Sequence, residues 1–368
     1  DATFSATDNL KQAINYIPSE IFGGEPGTYR AITMGQQYVS SGIISPQFDL
    51  LNPYAIARVK VSKTNEQLTM ITNQLNKKDL YETISACYHN ILSYQRQLKV
   101  LNESLANADT LSFIMQQKNK EGIARVQDVN NSLANVLSVK DRIQQTEIML
   151  NQEYNNMKLL CDMDKNITVE IIPGIIPPQF NASLSANSSL EEQRAESQLK
   201  YDLATLKANK MIFLPTIGFF SEFGWHQYTN NRFFDKNTWF NANYIGLKLT
   251  IPIFPSISGI SAVKYSKVNM RMDKNNLNHS RLQDSMNNRK LESDYQKAFN
   301  SYLLLTEIEG LKKDSYKRNL LVYQEGLLSS NDLFVSFNEW IDSSMNTVSQ
   351  WAVSEYMMSK IMITNTFN

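Results

Sequence analysis

Few side chains in this sequence have the types and spacing that chemistry requires. The thiols are Cys87 and Cys161, and the imidazoles are His89, His226 and His279. The histidines lie far apart and none has a ligand-like partner at close spacing, so no metal site is expected. There is no glycine-rich phosphate loop, no nucleophile elbow and no His/Cys/carboxylate cluster, so neither an enzyme nor a bound cofactor is expected. What recurs is a short polar pattern, Lys120–Val129 reading KEGIARVQDV and Gln324–Leu333 reading QEGLLSSNDL. Glu121-Gly122 superposes on Glu325-Gly326, and at the same offset Asp128 superposes on Asp332. A glycine there can close a helix in the left-handed conformation, and an acid shortly afterwards suits the positive end of a returning helix. Each segment reads as the tip of a helical hairpin. The alternative, a lone glycine tolerated within a longer helix, is weakened by the duplication.

The elements leading to these tips are rods. Apolar residues recur at 84, 87, 91, 94, 98, 101, 105, 108 and 115, with Ser112 breaking a 3-4 spacing of coiled-coil type. After Gly122 the spacing resumes at Val126, Val129, Leu133, Val136, Ile143, Leu150, Tyr154, Met157 and Cys161, with Lys140 and Glu147 at two seam positions. A long helix over 54–120, a return helix over 126–161, and a second pair over 260–325 and 332–364 follow, the third of these interrupted only by Gly310. Both cysteines fall on an apolar stripe, where cysteine behaves as a small hydrophobe; a disulfide is the alternative. The upstream offset also places Cys87 on Leu291, Ile91 on Tyr295 and Leu101 on Leu305. A further pairing of Met34–Ser45 with Ile245–Ser256 differs by one heptad, which leaves a helix's apolar face unrotated. The chain therefore reads as two diverged repeats, 1–165 and 190–368, joined by a linker at 166–189. The counterpart of the short helix at 190–210 would lie before residue 1, so the chain is expected to begin mid-repeat.

Composition narrows the class. With 36 basic and 36 acidic residues there is no charge excess to neutralise phosphates, and no nucleic-acid partner is expected. No run of 18 apolar residues predicts a transmembrane helix, and the first residues do not read as a signal peptide. The second repeat contains two alternating segments, 212–228 and 239–254. In Thr216–Gln227, Ile217, Phe219, Phe223 and Trp225 share one face, with Phe220 as the exception on the other. In Tyr244–Ile251, Ile245, Leu247, Leu249 and Ile251 alternate with Tyr244, Gly246, Lys248 and Thr250. With aromatic residues near one end, these strands fit a transmembrane β-barrel; a soluble hairpin is the alternative. The first repeat supplies a strand over 29–42, with a partner at 2–6 and Thr7–Thr28 as the loop. Four strands cannot close, and an open edge in lipid leaves backbone groups unpaired. Three chains would supply twelve strands.

The stretches AESQLKYDLATLKANKMIFLPTIGFFSEFGW and YIGLKLTIPIFPSISGISAVKYSKVN resemble the second-repeat core of the TolC-like outer-membrane efflux family. Gly246, Pro252, Ile253 and Phe254 match its Gly-x-x-x-x-x-Pro-hydrophobic motif, and both tip segments resemble its helix-hairpin tips. The resemblance covers roughly 29–364. It implies a mainly α fold with a transmembrane β-barrel: long coiled-coil hairpins forming a periplasmic tunnel, and four strands per chain in a shared twelve-stranded trimeric barrel. It also implies an outer-membrane exit duct of a Gram-negative bacterium, for tripartite efflux or type I secretion. The implied partners are two further copies, outer-membrane lipid, a periplasmic adaptor and an inner-membrane transporter. Tyr323, Gln127, Asp128 and Asp332, near Gly122 and Gly326, are implied to build a constricted entrance through hydrogen bonds and ion pairs. Two residues depart from the family pattern: Leu328 replaces an arginine and Val335 an acid. Arg125 is the one cation placed to compensate. The rival readings are solvated tips with no gating role and, for the whole chain, a soluble periplasmic coiled-coil scaffold or adaptor.

Overall fold

A computed structural model describes residues 1–171 and 188–367, so most of the expected linker 166–189 lies outside the described residues. The chain divides into two compact units, Asp1–Asn65 with Leu199–Asp273, and Glu66–Gln198 with Lys274–Asn368.

The first unit holds the strands: β1 (Ala2–Asp8), β2 (Ala13–Pro18), β3 (Tyr29–Met34), β4 (Tyr38–Ile44), β5 (Gln47–Leu51), β6 (Thr216–Thr229) and β7 (Trp239–Thr250). All pairings are antiparallel. β1 pairs with β4, β4 and β5 run end to end along β6, and β7 covers the other side of β6. The interruption falls at Ser45-Pro46, where proline has no N–H to give the ladder. The Pro46 carbonyl accepts the Ser221 N–H at 3.1 Å, keeping β6 satisfied across the gap. The five strands of this sheet thus fill four ladder positions, with β1 and β7 at its edges, and it does not close within one chain.

Register sorts the side chains by face. Phe4, Ile44, Phe48, Phe219, Phe223 and Trp225 share one side with Ile245, Leu247 and Leu249. Among the described residues most of it stays open: Ile245 is 72 % exposed and Leu247 70 %. The other side is polar, with Ser5 and Ser41 hydroxyls 2.8 Å apart, Tyr244 Oη donating to Glu222 at 2.6 Å, and Asp49 and Lys248 both opposite Gly218. Apolar rings interrupt it: Phe240, stacked on Tyr228 at 5.6 Å, and Phe220. The Phe220 ring meets Tyr244 edge-on at 6.1 Å and lies over Gly246, where a Cβ would come within 2.7 Å of it. That close approach is why position 246 is glycine.

The first repeat corrects the expected strand pair. The segment 29–42 is two strands, split at Gly35, whose φ is +117°. The supposed loop Thr7–Thr28 contains β2, which pairs with β3 from Ala13↔Met34 to Pro18↔Tyr29. β2 escaped recognition because almost all its residues are exposed, so no face was selected for apolar alternation. Helical residues of this unit form a small cluster of Val61, Ala204 and Ala208, with Tyr54, Ala57 and Tyr201 against it. Nearby, buried Asp202 and Asp273 share a carboxyl–carboxyl hydrogen bond; burial, then that bond and the neighbouring charge, push the Asp202 carboxyl up to about 6.

The α-helices of the described residues are α1 (Pro53–Lys120), α2 (Val126–Leu160), α3 (Leu190–Met211), α4 (Ile257–Gln324) and α5 (Ser330–Phe367). α1 and α4 are 68 residues each. At ~1.5 Å per residue each is roughly 100 Å long. Gly310 does not interrupt α4. The core of the second unit centres on Leu101, Met115, Leu333, Phe337 and Ile341, all almost fully buried. On α2 Val129, Val136, Ile143, Leu150, Tyr154 and Met157 pack into the apolar clusters as expected, and the seam departs only locally. Val139 and Thr146 are buried, while Lys140 and Glu147 remain exposed and Leu133 is 42 % exposed. Rotating the seam by one residue keeps two charges in water, and Thr146 fits because its hydroxyl donates to Arg142 O at 2.7 Å in its own helix. Ser104, Ser336, Ser343 and Ser354 are buried on the same terms, each donating to a carbonyl three or four residues back. Both cysteines are free: Cys87 is buried and donates to Glu153 O at 3.2 Å. His89 is buried with Nε2 2.9 Å from Ser359 Oγ, and desolvation lowers its pKa to about 4, leaving it neutral.

Candidate functional site

The two helical tips are built alike. Gly122 and Gly326 have φ of +76° and +77°. In the first tip the Gly122 N–H donates to Asn119 O at 2.9 Å and Ile123 N–H to Lys118 O at 2.8 Å; in the second, Gly326 N–H donates to Tyr323 O at 3.0 Å and Leu327 N–H to Val322 O at 3.1 Å. This pair of bonds is a Schellman cap, which satisfies the last carbonyls of α1 and α4. The helices then restart with acids in the first turn. Asp128 Oδ2 accepts the Arg125 N–H at 3.0 Å. Ser329 Oγ donates to Asp332 Oδ2 at 2.7 Å and accepts the Asp332 N–H at 3.2 Å. Both acids therefore complement an exposed helix N-terminus.

Hydrogen bonds and a cation–π contact join the tips to one another within the chain. The Ser330 hydroxyl donates a short hydrogen bond to Asp128 Oδ1. Tyr323, only 8 % exposed, donates from Oη to Met115 Sδ at 2.8 Å, and the Lys118 ammonium sits 4.2 Å from its ring centroid. Burial, then the negative charge of Asp128, raise the Tyr323 phenol above its ordinary value, so it stays a donor. Arg125, Gln127 and Asp332 have exposed side chains. Leu328 packs against the apolar core, and Val335 is 49 % exposed.

The arrangement thus groups Asp128 and Tyr323 with residues that sequence reasoning missed: Met115, Lys118, Ser329 and Ser330. The Ser329-x-x-Asp332 spacing was a readable helix-start signal. Met115 and Lys118 carry none, since their role depends on which helix lies beside α4. Chemically, the site offers hydroxyl–carboxylate, phenol–thioether and cation–π contacts. Among the described residues no group of three or more His, Cys, Asp or Glu could hold a metal ion, and no helix is long and apolar enough to cross a membrane.

No family model matches the chain. No curated protein matches it. Solved structures do. The outer membrane protein VceC of Vibrio cholerae superposes with a TM-score of 0.78 at 12 % identity, over 99 % of this chain and 86 % of that one. The outer-membrane channel OprN gives 0.77 at 14 % identity, over 100 % and 82 %. The Campylobacter jejuni CmeC outer membrane channel gives 0.75 at 13 % identity, over 99 % and 77 %. Together with its open four-position sheet and paired long hairpins, these superpositions give the chain the fold of the TolC-like outer-membrane efflux channels.

Proposed function

We propose that the chain is one protomer of a homotrimeric outer-membrane exit duct in a Gram-negative bacterium, passive rather than enzymatic. The observation that carries this reading is the sheet. Its outer strands β1 and β7, and β5 beside β4, each keep an unpaired edge among the described residues, and one apolar face stays uncovered. Backbone edges cannot face hydrocarbon, whereas three copies joined edge to edge make twelve strands with an apolar exterior and a polar lumen. Apolar residues left exposed along α4, among them Val268, Met272, Leu282 and Met286, would be covered by neighbouring copies. A soluble coiled-coil scaffold or adaptor gives no reason for the Phe/Trp/Leu face. The likeness between the two tips and between the flanking rods supports the reading of two diverged repeats, 1–165 and 190–368.

In this reading the hairpin tips form an iris-like gate at the periplasmic end. Tyr323 and Asp128 hold the tips of one chain together, Asp332 forms a ring of three carboxylates near the axis, and Gln127 and Arg125 face neighbouring tips. Gly122 and Gly326 fix the turns. A periplasmic adaptor and an inner-membrane transporter engage this end, in a tripartite efflux or type I secretion system. The test is mass measurement of detergent-purified protein followed by single-channel recording in planar bilayers. A trimer with cation-selective conductance that loses selectivity in Asp332→Ala is expected; a monomer with intact helical content refutes the reading.

A further inference from the structure

The apolar face of the sheet ends beneath a loop of its own chain, the segment between β6 and β7. On that face of β6 the row runs from Ile217 through Phe219, Phe223 and Trp225 to Gln227. At ~3.4 Å per residue and a tilt near 45°, this row rises roughly 24 Å, close to the height of an outer-membrane apolar band. Gln227 is fully buried. Its Nε2 donates to Asp235 O at 3.0 Å and to Thr238 Oγ1 at 2.9 Å, and its Oε1 accepts the Phe234 N–H at 2.9 Å. An amide at the edge of hydrocarbon is costly unless bonded, and the loop bonds it at both atoms. The amide in turn holds Phe234 at a φ of +61°, which a side chain of this bulk rarely adopts. So held, the loop folds back over the apolar face. Phe234 stacks on Phe4 at 6.0 Å, and Phe233 meets Tyr38 edge-on at 4.6 Å.

These rings carry the apolar face onward past the strands, and Phe234 is still 55 % exposed with the sheet beneath it. Two exposed cations flank them in sequence, Arg232 and Lys236, and neither has an ion-pair partner among the described residues. The acid between them, Asp235, is engaged within the loop, its Oδ1 accepting the Asn237 N–H at 3.3 Å. Strand register sets the level of the loop. Leu51 and Thr250, from which the chain runs on into α1 and α4, lie opposite Ile217 and Thr216, whereas Tyr38 and Thr229 pair at the loop end. In the barrel reading, on which this inference rests, the loop end therefore meets the headgroups of the outer leaflet. Rings at the hydrocarbon edge with cations beside them complement a lipid whose headgroup carries net negative charge on phosphate. We infer that Arg232, Phe233, Phe234 and Lys236 form a docking surface for an anionic phosphate lipid. Gln227 positions that surface without touching the lipid.

The test uses the intact protein in nanodiscs of equal parts phosphatidylglycerol and phosphatidylcholine. After release into detergent, retained lipids are counted by native mass spectrometry, and titration with each lipid gives its affinity. Wild type should bind phosphatidylglycerol in preference to phosphatidylcholine, and inorganic phosphate should not compete. Arg232→Gln and Lys236→Gln should each lower the preference about fivefold, and the pair roughly 30-fold. Both residues are exposed, so these variants do not endanger the fold. Phe234→Gly removes the ring and relaxes the backbone, so it should weaken both lipids alike. Gln227→Leu keeps the bulk but loses all three bonds to the loop, and it should lower the preference as well. Three results would each overturn the surface: equal affinity for the two lipids in wild type, an unchanged preference in the Arg232→Gln, Lys236→Gln pair, or competition by inorganic phosphate. Failure of the wild type to insert as a trimer overturns the barrel reading and this inference together. An inserted, conducting trimer without the lipid preference overturns this inference alone.

Discussion

Placing an arginine on the apolar face of β7 is the most direct challenge to the barrel reading. β7 has 12 residues, and at ~3.4 Å per residue and a tilt near 45° it rises roughly 28 Å, about one hydrocarbon thickness. Leu247 lies two residues past Ile245, which stands at the middle of that rise, and in that reading it faces lipid opposite Phe219 on the side shared with Leu249. An arginine at mid-depth on a lipid-facing position costs about 2–4 kcal/mol. In a trimer the penalty is incurred three times, on the order of 6–12 kcal/mol, comparable to the whole stability of an ordinary domain. Tyr244→Arg is the matched control. It lies on the polar face at similar depth, and the new guanidinium can pair with Glu222, which now accepts the tyrosine hydroxyl at 2.6 Å. Thr250→Arg tests the same polar face at the strand end. Outer-membrane fractionation and heat-dependent trimer mobility on gels are the assays. Leu247→Arg should abolish the membrane-inserted trimer while Tyr244→Arg and Thr250→Arg retain it. Equal tolerance of all three would show that this face does not meet lipid.

Three further outcomes are expected. Tyr323→Phe removes the donation to Met115 but keeps the ring beside Lys118, so it should loosen the tips by about 0.5–1.5 kcal/mol and raise single-channel conductance, more so when combined with Arg125→Ser. Gly326→Ala places a Cβ on a residue with φ of +77° in open space, so the loss is backbone strain alone, about 1–2 kcal/mol, read as a lowered melting temperature. The Asp202 carboxyl, with a folded pKa of about 6 against an ordinary 3.8, favours the folded state most below pH 4, and that contribution is lost as pH rises through 6. Asp202→Asn should therefore flatten the dependence of melting temperature on pH between 4 and 8 and stabilise the protein at the upper end.

The rods were legible because a heptad spacing sustained over many turns has no other cheap explanation, and the duplicated Glu-Gly…Asp segments marked where they end. Strands β6 and β7 were legible because one face is apolar along their length. β2 was not, since exposure on both faces removes the alternation that betrays a strand. Most of the α2 seam, Val136 and Met157 among it, packs where the spacing put it, but the pattern weighs Leu133 as an anchor, whereas the fold buries Val139 and Thr146 beside Lys140 and Glu147, which stay in water. At the tips, local signals identified the turns and their acids. The Tyr323–Met115 and Asp128–Ser330 contacts depend on helix neighbours some two hundred residues apart in sequence, and no local pattern encodes that distance.

The self-bonded hydroxyls of the helical seam have a mechanical consequence. Ser104, Thr146, Ser336, Ser343 and Ser354 fill buried positions while keeping their hydrogen bonds inside their own helices. When one helix slides along its neighbour, these bonds travel with it and none must break. Small side chains also leave shallow ridges to ride over. A seam of this kind resists separation, which would expose its apolar residues, far more than it resists shear. Lengthwise slippage by a fraction of a turn is thus the softest deformation of these rods, and the better-anchored points, such as Gln97 on Ser349 at 3.0 Å, act as the detents between which it occurs.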